Sequence, residues 1–90
     1  MKQKNTVQAR AVKRMMSLEA DANLFTRYAF ESEHNGNEML KTSNWYAAYF
    51  CKTALLDIYE IVTGKHVEMG DYDKVIKAYH MWVSYKALQA

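Results

Sequence analysis

Proline is absent from this 90-residue chain, cysteine occurs once and glycine three times. Without proline, nothing in the sequence forces a helix to kink or an extended linker to form. A single cysteine excludes an intramolecular disulfide, and no CxxC or paired Cys/His spacing suggests zinc. So few glycines leave no phosphate-cradling loop. Gly64-Lys65 lacks both the upstream glycine and the following Ser/Thr that such a loop needs. No sustained period-two alternation competes as a strand, and there is no internal repeat or low-complexity stretch. The N-terminal MKQKNTVQARAVKRMM lacks the continuous apolar core of a signal peptide. The most apolar segment carries Lys52, Asp57 and Glu60, so no membrane span is expected and a reducing cytoplasm is the expected compartment.

What is present is apolar and aromatic: 50% hydrophobic residues and 13% aromatic, with a formal net charge of only +2. That composition describes one folded domain spanning residues 1–90, too small for a second core. Such a chain leaves much of its surface unburied, and with no disulfide or metal to staple it, association is a natural source of stability.

Periodicity predicts three helices, over about 6–33, 44–63 and 71–88. In the first, Val7, Ala11, Met15, Leu18, Ala22, Phe25 and Ala29 fall three and four apart, a heptad-like seam for lengthwise packing. Asn5 or Thr6 is its expected cap. Val12, Met16, Leu24, Tyr28 and Phe30 widen the apolar face. At ~1.5 Å per residue this helix is about 40 Å long, so it bends or outruns its own core. Residues 31–44 read as a connector, either a loop or a helical continuation with a turn at Glu38-Met39-Leu40-Lys41, and Ser43 or Asn44 is the expected cap of the second helix.

That second helix is apolar around most of its circumference. Phe50, Ile61, Ala54, Ala47, Ile58, Cys51, Val62, Leu55, Ala48 and Tyr59 form one arc, widened by Trp45, Leu56 and Tyr49. Only Thr53, Asp57 and Glu60 remain as a polar stripe. A helix of this kind needs covering on several sides. The third helix starts at Asp71, where a carboxylate suits the positive helix end, and repeats Tyr72, Val75, Ile76, Tyr79, Trp82, Val83 and Leu88. The fold class expected is all-α: a small three-helix antiparallel bundle with a long first helix, able to self-associate.

Three constellations could carry chemistry. Lys2, Lys4, Arg10, Lys13 and Arg14 form a basic segment, and the first 18 residues contain no acid. Such a segment suits phosphate, on nucleic acid or a nucleotide, but equally an acidic protein surface or plain solvent. The second is the surplus of rings, with Tyr46, Trp82 and Tyr85 as interface anchors, since Tyr and Trp concentrate at binding hot spots. The third, His34, His66, His80 and Cys51, shares no i, i+3 or i, i+4 spacing. No metal, cofactor or catalytic set is therefore expected.

The run Trp45-Tyr46-Ala47-Ala48-Tyr49-Phe50-Cys51-Lys52-Thr53-Ala54-Leu55-Leu56 resembles the tyrosine- and alanine-rich helix of HEPN-type helical domains. Arg27 and His34 resemble the arginine-to-histidine spacing of the RNase members of that group. The resemblance covers about a dozen residues and implies RNA cleavage by Arg27 and His34. In style, a small untargeted helical chain is also similar to many phage-encoded modulators of host or defence proteins.

Taken together, the residues predict a non-enzymatic protein–protein interaction module that self-associates and docks on a larger protein. Tyr46, Trp82 and Tyr85 would anchor it, and Arg10, Lys13 and Arg14 would steer it electrostatically. The alternative expectation is a nucleic-acid- or nucleotide-binding protein that uses the basic arm.

Overall fold

A computed structural model describes the backbone of residues 6–89 and the side chains of residues 8–83. It contains three α-helices and, among the described residues, no strand: α1 (Thr6–His34), α2 (Glu38–Thr63) and α3 (Tyr72–Gln89), with a 3-10 turn at Met69–Asp71 before α3. The all-α expectation therefore holds. The described residues extend 53 × 27 × 20 Å, so the molecule is elongated along its first two helices.

The connector is much shorter than the sequence suggested. α2 begins at Glu38, six residues before the predicted start. Its cap is Asn37, whose side-chain oxygen accepts from the Leu40 amide at 3.1 Å, while Glu38 places a carboxylate in the positively polarised first turn. Ser43 and Asn44, expected as caps, lie inside the helix. The expected cap of α1 at Asn5 or Thr6 falls outside the described side chains. Gly36 takes φ +75° in the tight turn, a left-handed conformation that costs glycine nothing. Gly64 does the same at the C-terminus of α2, with its amide donating to the Glu60 carbonyl.

α1 and α2 pack side by side. Lys41 meets Glu33 at 3.5 Å, Asn44 meets Ser32 at 3.5 Å, and the Phe30 and Trp45 rings sit edge to face at 5.3 Å. Residue number thus falls along α1 as it rises along α2. The seam between them has two zones. Near the turn it is made of small residues: Ala22, Ala29, Ser32 and Ala48 are all buried. Farther from the turn it is made of large ones, where Met15, Leu18, Leu55, Leu56 and Tyr59 form the core with Val75 and Tyr79 of α3. The bulky neighbours lie about a quarter turn away, on the flanks of this seam.

The third helix covers only the second zone. Lys52 lies over the Tyr72 ring at 5.0 Å, and Tyr59 stacks on Trp82 at 5.5 Å and 7°. Tyr79 and His80 both reach Glu19. Along α2 and α3 the numbers rise together, whereas along α1 and α3 they run opposed. The segment from Gly64 to Glu68 makes this possible by carrying the chain back along α2 before α3 begins. It is held there by Glu60, which accepts from the Val67 amide at 3.4 Å and faces His66 Nδ1 at 3.1 Å. Among the described residues no helix is long and apolar enough to cross a membrane.

Candidate interaction surfaces

The stripe of α1 that lies under α3 does not end where α3 does. Met16, Glu19, Ala20 and Asn23 line a cleft with Tyr79, His80 and Val83. Asn23 then also lines the next cleft along, of about 580 Å³, together with Thr26, Arg27, Phe30, Glu31, His34 and Asn35. On α2 the matching surface is Thr42, Trp45, Tyr46, Ala48 and Tyr49, with Lys52 and Met69, around a cleft of about 470 Å³. The Phe30–Trp45 edge-to-face pair joins the two clefts. This distal face is therefore aromatic and uncovered: Phe30, Tyr46 and Tyr49 are all more than half exposed and Trp45 more than a third. These rings stand beside the alanine seam by helical phase, on the side that α3 covers only in the other zone.

A second apolar groove, of about 350 Å³, lies at the other end between α1 and α3. Gln8, Ala9, Val12, Lys13 and Met16 form one wall and Trp82 and Val83 the other. Here two of the residues expected from sequence, Trp82 and Lys13, come together. Trp82 is also part of the core through its stack on Tyr59. Tyr46 stands apart from it on the distal face, roughly 20 Å along α2 from Tyr59 at 1.5 Å per residue. Arg10 and Arg14 are exposed on α1, and among the described residues neither they nor Lys13 has a carboxylate partner. Tyr85, Lys2 and Lys4 lie outside the described side chains.

The polar node at Glu19 was not legible in advance. Its carboxylate accepts from the Tyr79 hydroxyl and lies 2.7 Å from His80 Nε2, so one acid on α1 ties down two residues of α3. Burial, then the bond to Glu19, drives the Tyr79 phenol far above its usual range. Burial, with Glu19 as the next cause, pushes Tyr72 up to about 12, and among the described residues its hydroxyl has no hydrogen-bond partner. Both phenols therefore stay neutral at physiological pH. The one sequence hint was position: Glu19 ends the acid-free stretch one turn after buried Met15.

The arrangement offers little to covalent chemistry. Cys51 is half-buried, and burial, followed by Asp21, raises its thiol pKa while Arg14 opposes the shift, so thiolate is scarce at neutral pH. His66 sits in the exposed Gly64–Glu68 segment, 3.4 Å from Glu68 and 3.1 Å from Glu60. The Glu68 hydrogen bond first, and then Glu60, raise its pKa. Among the described residues no group of three His, Cys, Asp or Glu side chains is placed to hold a metal. Arg27 and His34 do share a cleft on one face of α1, flanking Phe30. Comparison with protein-family models, with curated proteins and with solved structures finds no match, so the resemblance to HEPN-type domains rests on its dozen residues alone.

Proposed function

We propose that this chain is a non-enzymatic helical interaction module, a small modulator that self-associates and docks on a larger protein. The observation that carries the reading is the surface that three helices leave uncovered. Phe30, Tyr46, Tyr49 and Phe50 are all more than half exposed and lie together, through the Phe30–Trp45 and Tyr49–Phe50 contacts, in a chain with few helices to hide them. Contiguous exposed apolar surface of this kind marks interaction sites on folded proteins. The arrangement is a three-helix bundle whose distal half and α1–α3 groove are left for other polypeptides. At the groove, Trp82 supplies an apolar floor and Lys13 a rim charge, with Arg10 and Arg14 on the same helix to steer an acidic partner.

The basic residues favour one second reading, binding of nucleic acid or a nucleotide through Arg10, Lys13 and Arg14. Its signature is affinity that falls steeply with salt.

Size-exclusion chromatography with light scattering tests the first reading. The wild-type chain is expected at a multiple of its 10.5 kDa mass. A Tyr46→Ser/Tyr49→Ser variant with unchanged helical circular dichroism is expected to shift toward the single-chain mass. A wild-type chain that stays at 10.5 kDa at every concentration refutes self-association. Salt-sensitive absorbance at nucleic-acid wavelengths moves the second reading ahead.

A further inference from the structure

We infer that the distal aromatic face is the self-association surface, and that its occupant is a second copy of this chain related by a twofold axis near Phe30 and Tyr46. The inference rests on the self-association in the proposed function and adds where the copies meet and in what register.

Three observations support it. The first is charge. Arg27 and Glu31 lie one turn apart on α1, both lining the cleft around Phe30. Among the described residues neither has an ion-pair partner. Within one helix an arginine four residues before a glutamate is the less favourable order, so they satisfy each other poorly. A twofold axis crossing α1 near residue 29 places Arg27 of one copy opposite Glu31 of the other, and the reverse. The face is thus complementary to itself, as an isologous interface requires.

The second is fit. The Phe30–Trp45 and Glu33–Lys41 contacts set Tyr46 level with Ala29, so the same axis brings Tyr46 near its own copy. From that axis to the turn at Gly36 is about 10 Å at 1.5 Å per residue. The turn of the second copy therefore reaches the level of residues 22 and 23, where α3 begins beside Lys52. Hairpin meets hairpin over the uncovered stretch and stops at the Met69–Asp71 turn and α3, giving four helices in two layers.

The third is area. With aromatic side chains of roughly 200 Å² each, the exposed parts of Phe30, Trp45, Tyr46 and Tyr49 present on the order of 400 Å². Adding Arg27, Glu31, His34 and Thr42 around them brings the face close to the ~800 Å² per partner of a standard interface.

The decisive experiment swaps charges at exposed positions that do not disturb the fold. Arg27→Glu and Glu31→Arg, taken singly, place like charges opposite each other twice, and the dimer dissociation constant is expected to rise at least about tenfold. The R27E/E31R double variant is expected to dimerise like the wild type. Mixing the two single variants is expected to form a heterodimer, because each then meets its complement. A purely intramolecular effect of either substitution cannot produce that mixing result. If the wild type is dimeric but the single variants are unaffected, or their mixture fails to pair, this face is not the contact and only the present inference falls. If the wild type is monomeric throughout, self-association falls with it.

Discussion

Truncating Leu55 and Ile61 to alanine should have very different consequences, although periodicity puts both on one apolar arc of α2. Leu55 is fully buried at the meeting of all three helices, among Met15, Leu18, Val75 and Tyr79, whereas Ile61 is 81% exposed. Removing three carbon groups from Leu55 loses about 2.4 kcal/mol of transfer free energy at ~0.8 per group. The cavity left behind adds about 1–2 kcal/mol where neighbours relax only partly, giving a total of about 3–4 kcal/mol. Against roughly 4–13 kcal/mol for a chain of this size, that is a large fraction of the whole. Ile61→Ala should stay within about 0.5 kcal/mol. Urea unfolding followed by circular dichroism, at one fixed protein concentration so that association contributes equally, measures both. Equal losses at the two positions would refute the three-helix core, because α1 and α3 together are what make that side of the arc interior.

Two further outcomes are expected. Asn37→Ala should cost about 1 kcal/mol by removing the cap on the Leu40 amide, lowering the midpoint by about 4–8 °C in a thermal melt. Ser43→Ala, inside the helix, should not lower it, and the reverse result would restore the later helix start. Alkaline titration should show Tyr72 and Tyr79 ionising after most of the seven tyrosines. Their phenols are raised in the folded chain, Tyr72 to about 12 and Tyr79 beyond that. Their contribution to stability is therefore complete below pH ~10, where unfolded tyrosine stays protonated, and is lost as pH rises through the folded values. Phenolate absorbance that rises in one step near pH 10, with no loss of helix above it, would contradict their burial.

Much of the helical pattern was legible because it is local. The seam of α1 is buried at Met15, Leu18, Ala22 and Ala29, and the stripe of α3 at Val75 and Tyr79. The glycines sit at the turn after α1 and at the end of α2. The start of α2 was not legible, because Ser43-Asn44 carries the same capping chemistry as Asn37. What distinguishes Asn37 is its place directly after a left-handed glycine. The wide arc of α2 was ambiguous for a different reason. Which of its sides becomes interior depends on the path of Gly64–Glu68, a nonlocal fact that leaves Phe50 and Ile61 outside. For the surfaces, composition pointed to Tyr46, Trp82 and Lys13, and the structure adds Phe30, Trp45 and Tyr49 beside the first of these. Glu19 and Glu31 escaped notice, and Arg27 stood out only through the HEPN-type resemblance, because charged residues on a helix usually face solvent. Their interest comes only from what lies sixty residues away or, as proposed for Arg27 and Glu31, on another copy.

The alanine seam also bears on the order of events as the chain folds. Contacts such as Ser32–Asn44 close short loops and form cheaply, yet they hide little apolar surface. The large-residue core is completed only when Tyr79 finds Glu19, sixty positions away in the chain. The hairpin is thus quick to pair at its turn, and the cover over its large-residue end is added only when α3 arrives. Amide protons near Leu55 should accordingly exchange through global unfolding, and those near Ala29 through a smaller opening of the turn end. A second copy seated over Phe30 and Tyr46 would close that difference, making the turn end as slow to open as the core.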